Sequence, residues 1–599
     1  MQWMFVILLL SVEIANVSLS TAQSVASKKA GLENVGLNKV VEDQLHHLNA
    51  VQIENLAVLA RVWGFLKYHH PAFTSGSRDI DSELFQILPS VIAAKNHVTA
   101  NRVLVKWVNS LGNIPRREVP IPLPISGLKL KPDVVWIDDS TLLGSSLTER
   151  LKRVYRNRIP DQQRYIYIAP VPSAGNPLFP NERDYPDIKF PDSAFQLLAL
   201  FRFWNIIEYW YPYRDASVGN WNDVLLKLIP EFATAQNKEE YAHACLLAAS
   251  AIHDSHSNYG VPLEFRPPGA DCRLPVNLRL VDDKAVVTGY SAGPAGHASD
   301  LEYGDAILAL DGNPVSKMLA AWSPFYSFSN DTVRPRTMTN LLTDGNCGSV
   351  QVDFDRNGSV HSIESQRLAP SRAGLQNFDH DLPGPPFRLL SPQIAYLKLS
   401  TLKREDVGKF ITAAAGTRGL IIDVRNRPQG VLFDLGSHLV KGQTPFAISS
   451  RADPSNPGAF YLSTPVMIEP RAPYYDAKIV ILVDEETMSH AEFTAMALEA
   501  APSAVVVGSM TAGADGNISQ IPLPGGLGVW LSGIGIFYPD GTATQRVGIK
   551  VDVAVQPTLA GIREGRDEVI EAAVHVIDPD LTPEEIKEQM SSTRMPGIH

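Results

Sequence analysis

The stretch KIVILVDEETMSHAEFTAMALEA, residues 478–500, sets the architecture of the C-terminal half of the chain. Its first part is continuously apolar after the lysine and lacks the polar alternation of a half-exposed strand, which is typical of a strand covered on both faces. After an acidic turn, Phe493 and Met496 recur at helical spacing, and Pro502 ends the pattern. The stretch therefore predicts a buried strand, a turn that contains Ser489, and a helix.

Three further apolar runs flank this one in the sequence. They lie at residues 394–399, 419–424 and 504–508, and helical stretches separate them. Short buried strands that alternate with helices predict an α/β layer. In such a layer, a functional site is expected in the loops that follow the carboxyl ends of the strands.

Ser489 has two interpretations from the local sequence. At a strand-to-helix turn, the free N–H groups and the dipole of the helix can stabilise an oxyanion, so the position suits a nucleophile. The alternative is a capping box, in which Ser489 and Glu492 satisfy the first N–H groups of the helix without any catalysis. The local sequence alone favours the capping box.

The N-terminal half contains an internal repeat. Eight residues recur without a gap at an offset of 141, and each copy predicts two helices around a Tyr-x-x-Pro turn. They are Leu59, Arg61, Trp63, Tyr68, Pro71, Leu84, Pro89 and Ala94, which recur as Leu200, Arg202, Trp204, Tyr209, Pro212, Leu225, Pro230 and Ala235. We expect a duplicated helical module at 23–114 and 191–265, with an irregular β segment or linker at 115–190 between the copies.

The second copy continues into a further helix that ends at His253-Asp254-Ser255-His256. The equivalent point of the first copy, residues 111–114, has no ionisable residue. If the histidine cluster does chemistry, only the second copy does so. The alternative is that a histidine just past a helix end caps the helix or lies on the surface.

Residues 266–360 change to β-prone alternation. The run Gly-Asp-Ala-Ile-Leu-Ala-Leu-Asp-Gly at 304–312 resembles the carboxylate-loop-distal half of PDZ domains, in which a strand follows a short helix and turns at Asp-Gly. The resemblance implies a PDZ-like β module that binds extended peptides by adding them as a strand to a sheet edge. A plain β-hairpin with an Asp-Gly turn is the alternative.

The order of the motifs points beyond these local interpretations. The histidine cluster, the PDZ-like module, Arg-Asn-Arg-Pro-Gln-Gly at 425–430 and the motif around Ser489 follow one another along the chain. Further motifs are Val-Gly-Ser-Met-Thr-Ala-Gly at 507–513, Tyr-Pro-Asp-Gly at 538–541 and Gly-Ile-Lys-Val-Asp at 548–552. In this order, over residues 195–577, the chain resembles peptidase family S41, which comprises tail-specific, C-terminal processing and tricorn-type proteases. The resemblance implies a crotonase-like or ClpP-like α/β catalytic domain at 361–580, with Ser489 as the nucleophile for peptide-bond hydrolysis.

The family has two ways to activate its serine, and the sequence discriminates between them. In the C-terminal processing branch a lysine follows the Thr-x-Gly motif, but Ala514 stands at that position. In the tricorn-like branch a serine-histidine pair ends the N-terminal helical segment, and Ser255-His256 matches it. The resemblance therefore implies His256 as the general base of Ser489 and Ser255 as the residue that orients the imidazole.

The oxyanion hole is expected in two backbone N–H groups. One belongs to His490, which follows the nucleophile, and the other to Gly430 in the loop after the strand at 419–424. Gln429 is the alternative donor, because the loop can be aligned with the family pattern one residue earlier.

One position departs from the tricorn-like pattern. Gln545 stands where that branch has a glutamate, three residues before Gly-Ile-x-x-Asp. A neutral amide can orient a group but cannot stabilise a cation as a carboxylate does. Glu492 or Asp515 could supply the missing charge, although Asp515 is equally readable as a turn residue.

The composition excludes several classes of function. The chain has 599 residues, with 53 Lys and Arg against 64 Asp and Glu, a net charge of −11 and no basic run, so nucleic acid is not an expected partner. Its three cysteines form no Cys-x-x-Cys pair, which excludes a zinc ribbon and a dense disulfide framework. Neither a metal nor an organic cofactor is implied, and the sequence leaves the oligomeric state open.

Residues 1–22 are interpreted as a secretory signal, because an apolar run at 4–10 precedes the small residues Ser-Thr-Ala at 20–22. A short membrane-anchoring or buried helix is the alternative, since the first residues lack Lys and Arg and Glu13 interrupts the apolar stretch. We expect the mature chain to be exported without stable membrane insertion and to end in a tail at 581–599.

These observations predict a secreted or periplasmic serine endopeptidase that cuts extended or unfolded polypeptides held by the PDZ-like module. The competing hypothesis is a catalytically lapsed protein of the same superfamily that binds peptides or apolar ligands, which Ala514 and Gln545 would suit. The retention of both Ser489 and His256 favours the enzyme.

Overall fold

The computed structural model describes residues 39–581 and 585. Positions 120, 160–165, 173, 218, 270, 292–299 and 370–379 within that range are not described. The predicted signal segment and nearly all of the predicted tail therefore lie outside the described residues. None of the described helices is long and apolar enough to cross a membrane.

The duplicated helical module is present, with corresponding helices in the two copies. The first copy contains α1 (Lys39–His46), α2 (Ala50–His69), α3 (Pro71–Thr74), α4 (Ile80–Ile92) and α5 (His97–Ser110). After α6 (Ser140–Asn157), the second copy contains α7 (Ser193–Trp210), α8 (Arg214–Ser217), α9 (Trp221–Ala233) and α10 (Lys238–Ser250). Helices α2 to α5 thus correspond to α7 to α10.

Each copy contains an equivalent internal hydrogen bond. The indole N–H of Trp63 donates to the carbonyl oxygen of Ile80 at 3.0 Å, and the indole N–H of Trp204 donates to that of Trp221 at 2.9 Å. Both pairs are related by the repeat offset of 141. The repeat in the sequence is therefore also a repeat of the packing between the two long helices of each copy.

The copies pack against each other along α2 and α7. A Cβ atom at Gly64 would overlap the side chain of Asn205, so only glycine permits this close approach. Asn205 donates from Nδ2 to the carbonyl oxygens of Ala60 (2.9 Å) and Phe201 (2.8 Å). Because Gly64 and Asn205 are equivalent positions of the repeat, the contact between the copies centres on their crossing point.

The segment between the copies differs from the predicted irregular β segment or linker, because it contains α6. Its strands are β1 (Leu128–Leu130), β2 (Ala169–Pro170) and β3 (Pro177–Leu178). Asp139 caps α6 by accepting hydrogen bonds from two backbone N–H groups, and Leu143, Leu147, Leu151 and Val154 are buried at helical spacing. The prolines of the segment lie on either side of the helix, so they limit it without excluding it.

An antiparallel sheet follows, in the spatial order β11-β10-β7-β6-β5. The strands of this β module are β4 (Cys272–Arg273), β5 (Val276–Val281), β6 (Lys284–Tyr290), β7 (Ala306–Leu310), β8 (Asn313–Pro314), β9 (Asp344–Gly345), β10 (Gly348–Arg356) and β11 (Ser359–Arg367). Its helices are α11 (Val315–Trp322) and α12 (Val333–Leu341), and α12 packs beside the edge strand β5.

Two details of the β module concern the predicted Asp-Gly turn and the cysteines. Asp311 and Gly312 both have positive φ and form the turn between β7 and β8, as the Asp-Gly signal predicts. The turn belongs to a larger sheet with two helices and not to a lone hairpin. Cys272 and Cys347 form a disulfide that encloses much of the module, while Cys245 is buried and free.

The C-terminal domain is built on a sheet in the order β12-β13-β14-β18-β19-β23. Its strands are β12 (Phe387–Ser391), β13 (Ile394–Lys398), β14 (Gly419–Asp423), β18 (Lys478–Val483), β19 (Ala504–Gly508) and β23 (Val553–Ala554). All pairs after β12 are parallel. The four predicted apolar runs are the four central strands, so that prediction is confirmed.

Alternate residues of these strands face two separate cores. Helices α13 (Val407–Ala414), α14 (Leu432–Gly436) and α15 (His490–Glu499) cover one face, while α17 (Glu568–Ile577), which follows α16 (Leu559–Arg563), covers the other. In β18, Ile479 and Ile481 belong to the first core, and Val480 and Leu482 belong to the second. The domain is thus the predicted α/β layer, with its sheet covered on both faces.

A hairpin connects the α/β domain with the helical module. Besides β15 (Thr444–Ala452), β16 (Phe460–Leu462), β17 (Val466–Ile468) and β22 (Ile536–Phe537), the domain contains the paired strands β20 (Ile518–Leu523) and β21 (Leu527–Ser532). Ile521, Val529 and Leu531 of this hairpin are buried in the same hydrophobic core as the helices of both copies. The hairpin therefore carries Ser532, at the end of β21, to the turn that follows α10.

Candidate active site

Ser489 lies at the tight turn between β18 and α15. Its backbone angles are φ 57° and ψ −116°, a region that residues with a Cβ atom rarely occupy. Ordinary N-cap residues are extended, so helix capping does not account for this conformation. Strained backbone of this kind concentrates at functional sites, and a sharp strand-to-helix turn exposes a nucleophilic serine. Ser489 and Glu492 form the predicted capping box, and the strained backbone at Ser489, which capping does not require, also fits a nucleophile.

Glu492 holds the turn that contains Ser489 in place. Its buried carboxylate accepts hydrogen bonds from the N–H groups of Ser489 (3.1 Å), Gly513 (2.7 Å) and Ala514 (3.0 Å) and from the hydroxyl of Thr511 (2.5 Å). Burial raises the pKa of Glu492, and the four donors oppose that effect. The side chain thus ties the turn to the loop at 511–514 and contacts groups other than His256.

The two expected oxyanion donors lie on loops that follow neighbouring parallel strands, β14 and β18. Among the described residues, the N–H groups of His490 and Gly430 have no hydrogen-bond acceptor, whereas the N–H of Gln429 donates to the carbonyl oxygen of Leu399 at 2.9 Å. The imidazole of His490 contacts the backbone of Gln429, and burial and Arg427 lower its pKa. The structure therefore favours Gly430 over Gln429 as the second donor.

His256 is held by two residues through one ring nitrogen. It lies in a 3₁₀ turn, Ser255–Asn258, that follows α10. Its Nδ1 is 2.9 Å from the hydroxyl oxygen of Ser532 and 3.3 Å from Oδ1 of Asp254. Its Nε2 is buried and has no hydrogen-bond partner among the described residues. The free nitrogen is the one that a general base offers to a serine hydroxyl.

Asp254 is fixed by backbone donors on both sides of the imidazole. Its carboxylate accepts hydrogen bonds from the N–H of His256 (3.0 Å) and the N–H of Ser532 (2.7 Å). Burial raises the pKa of Asp254, but the contacts with His256 and the two N–H donors outweigh burial, so its pKa is lowered. Asp254 therefore carries a buried negative charge beside the candidate base.

Ser255 has a different place from the one implied by the resemblance. Its hydroxyl accepts a hydrogen bond from the N–H of Ser329 at 3.1 Å, and its own N–H donates to the Ser329 hydroxyl at 2.9 Å. This reciprocal pair anchors the 3₁₀ turn to the β module. Asp254 and Ser532 contact the imidazole instead, so the prediction that Ser255 orients it is corrected.

Gln545 and Asp515 are both buried, and neither contributes a paired charge. Gln545 is 3.5 Å from the hydroxyl of Tyr211 through Nε2, and its Oε1 has no partner among the described residues. One oxygen of Asp515 accepts from the N–H of Gly516 at 2.6 Å, and the other is likewise without a partner there. Burial and the neighbouring Glu492 raise the pKa of Asp515 well above its usual range, which favours the neutral acid.

Three carboxyl groups near His256 and Ser489 act electrostatically on the buried phenol of Tyr213. The hydroxyl of Tyr213 accepts a hydrogen bond from the N–H of Ile536 at 2.6 Å. Burial raises the pKa of Tyr213 well above its usual range, and the carboxyl groups of Asp515, Asp254 and Glu492 add to this effect. Asp254 beside His256 and Glu492 beside Ser489 therefore belong to the same buried region.

Comparison with protein-family models assigns this domain. Residues 393–555 match the model of peptidase family S41, a span that includes Ser489, both expected oxyanion donors and Gln545. The chain therefore contains a peptidase S41 domain. The match supports a serine-type peptidase, and it spans the sheet of the α/β layer from β13 to β23. No curated protein sequence matches the chain.

Solved structures resemble the chain at low sequence identity. Mature CPAF complexed with lactacystin is 16% identical with a TM-score of 0.50, and a CPAF mutant is 16% identical with a TM-score of 0.51; each match covers 65% of this chain and 99% of the other. The photosystem II D1 C-terminal processing protease is 17% identical with a TM-score of 0.37, and the match covers 60% of this chain and 93% of the other. At these identities the CPAF likeness concerns the fold.

The β module fixes the acidic turn that precedes Ser489. Arg279 in β5 pairs with Glu485 at 2.6 Å and with Asp484 at 3.3 Å. Arg336 in α12 pairs with Glu486 at 2.9 Å. Two arginines of one module thus hold three consecutive acidic residues that lead into Ser489.

His380 joins this cluster, with Nδ1 at 2.7 Å from Oδ2 of Asp484. Ligand atoms of His380, Asp484 and Glu485 lie within 4.8 Å of one another, which would suit a cation. However, the Arg279 guanidinium contacts both carboxylates. Burial and Arg279 lower the pKa of His380, but the ion pair with Asp484 outweighs them and raises it. The cluster is therefore a network of ion pairs.

Two residues of the site were missed from the sequence, for different reasons. Asp254 was within the quoted motif, and the spacing Asp-x-His carries a signal, since an N-cap aspartate two residues before a histidine accepts from its N–H and lies beside the ring. Ser532 gives no local signal, because it reaches His256 from a hairpin far along the chain.

Proposed function

We propose that the protein is an exported serine endopeptidase that hydrolyses peptide bonds in extended or unfolded polypeptides, with Ser489 as the nucleophile and His256 as the general base. One observation carries the proposal. Ser489 has a backbone conformation that helix capping does not require, and the N–H that follows it is free of acceptors among the described residues. His256 complements it with a buried, unpaired Nε2.

The proposed reaction follows from these groups. The Ser489 hydroxyl attacks the scissile carbonyl carbon as its proton passes to Nε2 of His256, and the N–H groups of His490 and Gly430 bind the oxyanion. Nε2 then gives the proton to the leaving amine, and the C–N bond breaks to leave an acyl-enzyme. Water, activated by the same nitrogen, hydrolyses the ester and regenerates Ser489.

Asp254 has a defined part in this scheme. Its carboxylate lies 3.3 Å from Nδ1, so it stabilises the imidazolium that forms when Nε2 takes the serine proton. The glutamate that the tricorn-like pattern would place at Gln545 is thereby replaced by a carboxylate from the base's own turn. The neutral side chains of Gln545 and protonated Asp515 are consistent with a site that already holds its negative charge at Asp254.

The proposed substrate class rests on the β module. Strand β5 is at the edge of its sheet, with α12 beside it, which is the arrangement in which PDZ-like modules add an extended peptide. Arg279 of β5 and Arg336 of α12 reach the acidic turn before Ser489. A peptide seated along β5 would therefore lie on the two elements that fix the nucleophile turn.

The proposed location outside the cytosol has two supports. The first is the signal-like sequence of residues 1–22. The second is the Cys272–Cys347 pair, because disulfides persist mainly in oxidising compartments. Expression of the full chain with subcellular fractionation tests this, and the mature protein should begin at residue 23. Recovery of the uncleaved chain in the cytosol would contradict the proposal.

The enzymatic proposal is tested with wild type, Ser489→Ala and His256→Ala. Wild type should react with a fluorophosphonate probe and degrade an unfolded protein, and both variants should do neither. Circular dichroism of each variant establishes that it is folded. A folded wild type that is inert in both assays would sink the proposal and favour the competing hypothesis, in which the protein binds peptides or apolar ligands without catalysis.

A further inference from the structure

The helical module contains a cavity that the proposed protease function does not use. Its volume is about 360 Å³, and it lies between the two copies of the repeat. Aromatic residues form part of its wall, and charged residues, two asparagines and a glycine form the rest. Its lining includes Arg61, Trp136, Glu208, Arg214 and Asn222, and the exposed residues Asp133 and Asp215.

The repeat provides a built-in comparison for this cavity. At an offset of 141, Arg61 corresponds to Arg202, and Asn222 corresponds to Asp81. Arg202 is completely buried and paired, with Nη2 at 3.0 Å from Asp81 and Nε at 2.8 Å from Glu182. Around Arg202, the module therefore forms a cluster of ion pairs with the carboxylates of Asp81 and Glu182, here called the closed cluster.

Arg61 has none of these partners. Among the described residues its guanidinium makes no ion pair, and its Nε is buried without a hydrogen-bond acceptor. The guanidinium stacks on Trp136 with its central carbon 4.4 Å from the ring centroid. The Oδ1 atom of Asn222 is also buried and unpartnered there. An unpaired donor and an unpaired acceptor therefore belong to two residues that line the same cavity, where they suit a polar ligand.

The charge at a second position of the repeat is reversed between the two sides. In the closed cluster, Lys67 pairs with Glu182 at 2.5 Å, so two cations enclose one carboxylate. The residue equivalent to Lys67 is Glu208. Its carboxylate is 3.6 Å from Arg214, but that guanidinium also donates to two backbone carbonyl oxygens. The cavity is thus lined by the guanidinium groups of Arg61 and Arg214 and by the carboxyl groups of Glu208, Asp133 and Asp215.

We propose that this cavity binds a small zwitterion, an amino acid or short peptide, whose carboxylate pairs with Arg61 and whose ammonium group faces Glu208. The carboxylate takes the position that Glu182 holds against Arg202 on the closed side. The ammonium group meets Glu208, the residue that replaces Lys67 in the repeat. Trp136 and the other aromatic residues of the wall provide apolar surface for the rest of the ligand. The inference is independent of the proposed protease function.

The first test measures binding to the full mature chain with Ser489→Ala, so that no probe is cleaved. The probe is the dipeptide glycyl-phenylalanine, and isothermal titration calorimetry measures its affinity. Acetylation of its amino group and amidation of its carboxyl group should each weaken binding by about tenfold or more, because each removes one charge-assisted contact. Absence of binding at millimolar concentrations, or binding of either blocked form as tight as that of the unblocked dipeptide, would overturn the proposal.

The second test uses the repeat to place the site. Arg61→Gln should weaken glycyl-phenylalanine binding by about tenfold or more, while Arg102→Gln, an exposed arginine in α5, should leave it unchanged. Glu208→Lys recreates the charges of the closed cluster, so this variant should prefer the acetylated dipeptide, a monoanion, over the zwitterion. Thermal unfolding verifies that each variant is folded. Unchanged binding in Arg61→Gln, or unchanged preference in Glu208→Lys, would overturn the assignment.

Discussion

At the scale of single residues, the orientation of His256 depends on Asp254. Asp254→Asn keeps the shape but removes the charge beside Nδ1 and allows the wrong tautomer, so we expect kcat/KM to fall roughly 10²- to 10⁴-fold. Ser255→Ala is the matched control, because its hydroxyl contacts Ser329 and not the imidazole. Initial rates on a fluorogenic unfolded substrate measure both. A larger loss in Ser255→Ala than in Asp254→Asn would restore the assignment implied by the family resemblance.

Glu208 gives a pH dependence of stability at the same scale. Burial raises its pKa from 4.5 to about 7, although Arg214 opposes the effect. Between these values the folded chain holds a proton that the unfolded chain has lost, so stability falls as pH rises from 4.5 to about 7. The difference corresponds to about 3 kcal/mol at most. Glu208→Gln should remove this slope, as urea unfolding at pH 5 and pH 8 would reveal, and an unchanged slope would contradict the assignment.

At the scale of elements, the connection between α15 and the 511–514 loop runs through one carboxylate. Glu492→Gln replaces an oxygen that accepts hydrogen bonds with an amide that donates them, opposite N–H groups that also donate. We expect the free energy of unfolding to fall by about 1 to 3 kcal/mol and fluorophosphonate labelling to slow. Glu499→Gln on the same helix, which accepts from the hydroxyl of Tyr538, should have the smaller effect. Equal effects would show that Glu492 has no special part in holding the turn.

The helices and strands also differ in how well the sequence predicted them. Continuous apolar runs identified the four central strands, since a strand buried on both faces cannot alternate. The helix α6 was missed because prolines on both sides dominated the local composition, although Leu147 and Leu151 carried its period. Ser489 and His256 were named from motif order, but the contact of His256 with Ser532 was not predictable, because long-range packing of a hairpin creates it. Local patterns thus predicted the helices and strands, whereas the contacts between them could be found only from the structure.

The contact between α2 and α7 bears on the stability of the whole molecule, because both copies of the repeat share one hydrophobic core with the hairpin β20-β21. The candidate base follows the second copy, and Ser532 on that hairpin contacts it. The first copy has no candidate catalytic residue, yet it supports the surface on which the base is placed. Disturbing the contact between the copies should therefore weaken the site from a distance.

Gly64→Ala tests this at the crossing point of the copies. The added methyl group would overlap Asn205, so we expect the free energy of unfolding to fall by about 1 to 3 kcal/mol. Gly408→Ala in α13 is the matched control, because a Cβ there meets nothing within 4 Å and helix propensity favours alanine. Helical signal and fluorophosphonate labelling should be lost at the same urea concentration, since one core supports both. Labelling that survived the loss of the helical signal would contradict this prediction. It would show that the site in the α/β domain does not depend on the core that it shares with the helical module.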